Sequence, residues 1–168
     1  TTQMKSVGEV MAIGRTIQES MQKALRGLEV GASGFDPVLD TTAEDHLEVL
    51  KSELQNPGAE RIWYVGDAFR LGMSVEELYA ITGIDPWFLH QIAQIFHTEK
   101  IIVREGSPLS AEVMRKSKAY GFSDVQLASL LNTSEDEIRA LRKQFGVQPV
   151  YKLVDTCAAE FEAQTPYY

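Results

Sequence analysis

The sequence predicts an all-α fold: a compact helical domain of about eight helices, with short extended segments at both termini. The main sign is a helix-cap-helix unit at Gly72–Ile92 that the chain writes again at Gly121–Leu141. Gly72 corresponds to Gly121, Ser74 to Ser123, Glu77 to Gln126, Leu78 to Leu127 and Ile81 to Leu130. Gly83 then falls on Asn132, Asp85 on Ser134, Leu89 on Ile138 and Ile92 on Leu141. Each pair has one physical job. Gly72 and Gly121 can take the left-handed conformation that ends a helix. Ser74 and Ser123 are N-caps, with Glu77 and Gln126 placed to close a capping box. Gly83 and Asn132 tolerate a second left-handed turn, and Asp85 and Ser134 cap the helix that follows. The second sign is the 3.6-residue spacing of apolar residues over the rest of the middle of the chain.

The elements follow in order. Residues 4–13 alternate and are rich in β-branched side chains, which reads as an isolated strand ended by Gly14. Thr16 with Glu19 forms a capping box, and Met21, Ala24, Leu25 and Leu28 stripe helix one up to Gly31. Residues 31–40 are loop. Thr41 with Glu44 caps helix two, which carries Leu47, Leu50 and Leu54. Asn56-Pro57-Gly58 breaks it, and Pro57 suits the first position of helix three, where Ile62, Val65 and Phe69 recur up to Gly72. The first repeat gives helices over 75–82 and 86 to about 103; a helix over 110–119 follows the Ser107-Pro108 loop. The second repeat gives helices over 124–131 and 135–145. Residues 149–156 read as extended, with Pro149 barring a central strand.

Helix five holds a finer reading. At 100° per residue, Phe88, Leu89, Ile92, Ala93, Ile95 and Phe96 form one apolar arc. Trp87 falls outside it, among His90, Gln91, Gln94, His97 and Thr98. Such a tryptophan covers the preceding turn, packs on a neighbouring helix, or anchors a subunit contact, which makes Trp87 a candidate contact residue.

Composition narrows the function. A net charge of −8 over 168 residues opposes binding to nucleic acid or an anionic membrane, since both need Lys and Arg to neutralise phosphate. No apolar run is long enough for a transmembrane helix. The single cysteine, Cys157, excludes an internal disulfide and fits a reducing cytoplasm. The chain opens at Thr1 without an initiator Met or signal peptide and ends at Tyr167-Tyr168, as expected of a segment of something longer.

Reactive constellations are hard to find. The two common glycine-rich phosphate motifs are absent. His90 and His97 are spaced too widely for a helical metal pair, so they and His46 read as solvated. Cys157 has no cationic neighbour in sequence to make it nucleophilic. Asp36, Asp40, Glu44, Asp45, Glu48, Glu53 and Glu60 read as caps and a solvated helix face. Residues 121–146 have the rhythm of a DNA-binding helix-turn-helix. The turn that would meet base edges is Glu135-Asp136-Glu137, three carboxylates facing a polyanion. They suit the N-terminal end of a helix dipole instead. No catalytic, cofactor-binding or metal-binding residue is assigned.

The two ends and the middle together carry a resemblance. Thr2–Thr16, with Met4-Lys5-Ser6-Val7-Gly8-Glu9-Val10-Met11, resembles the segment closing the first ATP-grasp unit of carbamoyl-phosphate synthetase large subunits. Val150-Tyr151-Lys152 and Val154-Asp155-Thr156-Cys157-Ala158-Ala159-Glu160-Phe161 resemble the link into the second such unit, in its bacterial form. Arg61-Ile62-Trp63-Tyr64, Ile84-Asp85-Pro86-Trp87-Phe88-Leu89 and Gly121-Phe122-Ser123-Asp124 resemble the helical oligomerisation domain between them. The resemblance implies a trailing strand at 1–15, an oligomerisation domain at 16–146 and a linker at 147–168. It implies a cytoplasmic parent ligase that makes carbamoyl phosphate from bicarbonate, glutamine-derived ammonia and two ATP, for arginine and pyrimidine synthesis. ATP and Mg (or Mn) would bind in the flanking units, a small glutaminase subunit would be a partner, and this segment would be a non-catalytic, self-associating spacer. The other readings are a helix-turn-helix DNA-binding module at 121–146 and a free-standing helical adaptor.

Overall fold

In the computed structural model, which describes residues 9–155 and 160–162, eight helices follow one another. They are α1 (Ile17–Gly27), α2 (His46–Gln55), α3 (Arg61–Arg70), α4 (Val75–Thr82), α5 (Pro86–Glu105), α6 (Ala111–Ala119), α7 (Asp124–Leu131) and α8 (Glu135–Gln144). α4 and α7 match the sequence reading, and α5, α6 and α8 do so within the residue or two by which helix ends fray. α5 is the central element, packing against α1, α3, α4, α6 and α7, while α2 rests on α3 and α4, and α8 on α7. Its Leu89, Ile92, Ile95, Phe96 and Ile102 are buried. Phe35 reaches the same core from the loop after α1, edge-on to Phe96 at 5.4 Å. An added Cβ at Gly66 would sit 2.7 Å from the Phe96 ring, so α3 approaches α5 closely only because that position lacks a side chain.

The duplicated unit is built as its sequence suggests. Gly72 (φ +93°) and Gly121 (φ +87°) end α3 and α6 in the left-handed region. In both, the next amide reaches back into the helix, Met73 N to Ala68 O and Phe122 N to Ser117 O. Ser74 and Ser123 accept from Glu77 N and Gln126 N, and Gly83 and Asn132 take the second left-handed turn. The repeats part at Gln126. Glu77 closes its box on Ser74, whereas Gln126 is buried and turned inward.

Several expectations fail for local reasons. Residues 9–13 form no strand; residues 4–8 lie outside the described residues. A lone strand has no ladder to satisfy it. Residues 149–155 are irregular except for an isolated bridge at Val154, and Thr156 lies outside the described residues. The Thr16–Glu19 box is half made, because Glu19 turns its carboxylate to Arg15 N and Lys23. α1 ends at Gly27, not Gly31, as Glu29 takes φ +57°. α2 starts at His46 after Asp45. Thr41 does not cap it, because the Asp40 carboxylate captures Thr42 N and Oγ1 and makes 40–43 a turn. Leu47 is consequently 61% exposed, while Leu50 and Leu54 are buried. Pro57 lies in the turn before α3, whose first residue is Arg61. On α5, Phe88 leaves the apolar arc, and Thr98 and Glu99 are buried instead. The polar side is partly covered too, since Gln18 of α1 donates to Gln91 and Gln94 at 3.0 and 2.9 Å.

Two charged clusters tie the helices together. Arg70 meets Glu99 on α5 at 2.7 and 2.8 Å and Asp67 at 2.8 Å, donates to Phe35 O, and lies 4.8 Å over the Phe96 ring. The other Asp67 oxygen accepts from Val38 N and Leu39 N at 2.9 and 2.8 Å. Burial opposes the Arg70 charge, but Glu99 and then Asp67 outweigh it and hold its pKa above the ordinary value. Asp124 similarly binds Lys118 at 2.8 Å and Arg142 at 3.1 Å, joining α6, α7 and α8. Burial pushes the Asp124 carboxyl up, and Lys118 and Arg142 together pull it below its usual range.

Ser74→Ala and Ser134→Ala should each cost about 1 kcal/mol in urea unfolding, and Thr41→Ala close to nothing, since only the first two are caps. Asp67→Ala should cost about 3–5 kcal/mol by the same measurement, because it strands two loop amides and unbalances a buried guanidinium. For Asp124 the folded pKa is depressed, so its contribution is full above the unfolded pKa and lost as pH falls through the folded one. Thermal melts stepped from about pH 5 to pH 2 should therefore fall less steeply in Asp124→Asn than in the parent chain, with the variant already less stable at neutral pH.

Candidate functional site

The residue types able to do chemistry are scattered. His46 Nδ1 lies 2.7 Å from Ala43 O, and His90 and His97 are exposed on α5. Among the described residues no three His, Cys, Asp or Glu side chains group so as to hold a metal ion. Cys157 lies outside the described residues. Of the acids at 36–60, Asp36 accepts from Ser33 N and Asp40 from Thr42, and the set is exposed or half-buried. The helix-turn-helix look-alike is α7 and α8. Glu135 and Asp136 pair with Arg139, and Glu137 closes a capping box on Ser134. That acidic first turn is a helix start, and no observation here supports binding to duplex DNA.

One surface feature is aromatic. Asp85 accepts from Trp87 N at 2.8 Å, and Pro86 opens α5, which fixes the first turn of the helix. Trp87 and Phe88 then stand side by side at the tip, 52% and 46% exposed, their rings edge to face at 4.9 Å and 88°. Trp87 is therefore not core. Two neighbouring large rings on one solvent face are the kind of feature that anchors contacts.

The other feature is a cavity of about 720 Å³ between α1, α6 and the chain leaving α8. Arg15, Lys23, Arg26, Arg115, Lys118 and Arg142 line it, with Glu19 the one lining carboxylate among the described residues and Asp124 behind Lys118 and Arg142. Arg26 donates to Gly121 O at 2.6 Å and Lys118 to Phe122 O at 2.6 Å. Arg142 donates to Val147 O and Arg115 to Phe145 O. The cations thus meet carbonyls where α6 and α8 end. Burial lowers the pKa of Arg26. It lowers that of Lys118 as well, offset in part by Asp124 and reinforced by Arg142 and Arg26. Sequence reading missed this cluster, because its members come from four separate stretches. The one local signal was a basic residue in the last turn of α1, α6 and α8.

Comparison with known proteins gives these features a context. Residues 9–146 match the family described as carbamoyl-phosphate synthetase large chain, oligomerisation domain. The carbamoyl phosphate synthase large chain of Vibrio parahaemolyticus is 57% identical over 168 residues, which cover 99% of this chain and 16% of that protein. The protein of the same name from Pseudomonas aeruginosa is 58% identical, and that from Buchnera aphidicola 54%, over the same shares. The chain thus spans 16% of the length of the curated relatives it matches. The matched span takes in all eight helices and both copies of the duplicated unit. By this match and these identities, the chain belongs to the oligomerisation-domain family of carbamoyl-phosphate synthetase large chains.

Proposed function

We propose that the chain is the non-catalytic assembly and spacer module of a glutamine-hydrolysing carbamoyl-phosphate synthase large subunit. The observation that carries this is the family match over the whole helical domain. The parent would make carbamoyl phosphate from bicarbonate, glutamine-derived ammonia and two ATP in the cytoplasm, for arginine and pyrimidine synthesis. In this reading residues 1–15 are the trailing edge of one ATP-grasp unit and residues 147–168 lead towards the other. ATP with Mg or Mn belongs to those units, since this chain has neither of the two common phosphate-cradling motifs. The small glutaminase subunit is a partner of the parent.

Self-association is the module's own task, and Trp87 with Phe88 is the contact we assign to it. The Asp85 cap fixes the backbone under the pair and the two rings pack edge to face, an arrangement that lowers the side-chain freedom to be lost when a second surface covers it.

The purified chain should show no bicarbonate-dependent ATP hydrolysis; turnover abolished by a substitution within it would sink the non-catalytic reading. Trp87→Ala should weaken self-association by about 30-fold, the equivalent of roughly 2 kcal/mol, in sedimentation across a concentration series. Its thermal unfolding should stay close to that of the parent at low concentration, because the ring is half exposed. An unchanged oligomer would move the contact elsewhere.

A further inference from the structure

The basic pocket carries more positive charge than its surroundings cancel. Six cations face two carboxylates, Glu19 and Asp124, in a chain whose net charge is −8. Two helix ends converge there, and each contributes about half a negative charge. They offset roughly one of the four excess positive charges. Arg15, Lys23 and Arg115 are exposed to solvent, whereas the other three cations are drawn in from the surface. The side chains of Lys118 and Arg142 are 25% and 14% exposed, and Arg26 is half-buried with no carboxylate in salt-bridge range among the described residues. Groups placed like this lose hydration that a charged partner would repay.

The position of the pocket points to that partner. Arg15 and Thr16, just ahead of α1, form one part of its wall, and Gln148, Pro149 and Val150, just beyond α8, form another. These are the two backbone segments by which the helical domain is connected to anything on either side. The relatives carry more than five times as much sequence as this chain covers, so a tethered acid there would face the pocket at high effective concentration. We infer that this pocket is a socket for an Asp or Glu side chain from the flanking part of the same large chain. The socket would orient the helical module against the unit it joins, with the N–H groups of Arg26 and Arg115 that do not bond Gly121 O and Phe145 O left to grip a carboxylate. This rests on the reading of the chain as a module within a large subunit.

The test uses the full-length large chain carrying Arg115→Lys, treated with a water-soluble carbodiimide that joins touching amines and carboxylates, followed by peptide mass spectrometry. Arg26→Lys serves as a second variant, and Arg104→Lys, on exposed α5 surface, as the background control. Coupling of Lys118 to Asp124 should appear in every sample, as a check that the domain is folded. The expected result is coupling of the introduced lysine at 115 or 26 to an acid outside these 168 residues, several-fold above the control. Coupling only to Glu19 or Asp124, or none, overturns the socket. So does coupling to a second copy, told apart by mixing isotopically light and heavy chains. A melting shift of the full chain with inorganic phosphate, lost in Arg26→Gln and unaccompanied by outside coupling, assigns the pocket to a free anion instead. Failure in an intact large chain removes the socket alone, whereas a reading frame lacking large-subunit sequence removes the module reading and the socket together.

Discussion

Arg70 and Asp67 let an unstructured connection take part in the core. Between α1 and α2 the chain runs without regular structure, yet it delivers Phe35 and Leu39 to the interior. A buried loop must find partners for its own amides and carbonyls. Asp67 takes the Val38 and Leu39 amides, Arg70 takes the Phe35 carbonyl, and Trp63 Nε1 takes the Gly34 carbonyl at 2.9 Å. All three side chains come from α3. Arg70 then locks that helix to Glu99 of α5, while its face rests on Phe96, which Phe35 and Phe69 also touch. A charge buried this way adds little stability compared with apolar packing, but its fixed donor geometry allows one register. Phe35, α3 and α5 are therefore positioned by one decision.

The repeated unit shows how the same local code serves different ends. Both copies stop a helix with glycine, cap the next with serine and turn again on a left-handed residue. The first copy then launches α5, a twenty-residue helix whose tip bears Trp87 and Phe88. The second launches α8, which is half as long and acidic in its first turn. Gln126 marks the divergence. Its amide and that of Gln22 close on Gly34, where a side chain would collide with both at about 3 Å, so the second copy gives up its capping box to pack under the loop.

What the sequence made legible was the code carried by neighbouring residues. Ser74, Ser123, Ser134, Gly72, Gly83 and Asn132 act within a few positions of themselves, and the helices they bound fall where the pattern put them. Thr41 and Pro57 carried the same kind of signal and failed, because Asp40 and the 56–58 turn offered the backbone a nearer alternative. Phe88 was placed on the core face by periodicity alone; the helix start left it outside the packed region. The basic pocket and the Arg70 cluster were invisible, since Arg26, Arg115 and Arg142, or Asp67 and Glu99, meet only after the helices pack. The family resemblance came from long motifs at the ends and in the middle, and the match over residues 9–146 bears it out.

The spacer role proposed for the chain would require it to transmit position, and a closely packed interior suits that. α5 is about 30 Å long at 1.5 Å per residue, and five other helices pack on it. Its apolar side is filled by large rings and branched side chains, and its polar side is fastened to α1 through Gln18, Gln91 and Gln94. Close-packed interiors resist deformation, so a displacement at one end of such a helix moves its neighbours as a body. The exposed aromatic pair belongs to α5 itself, and the basic pocket is walled by α1 and α6, both of which rest on α5. The aromatic pair and the helical walls of the pocket therefore share one packed frame, while residues 147–150 complete the pocket from the chain beyond α8.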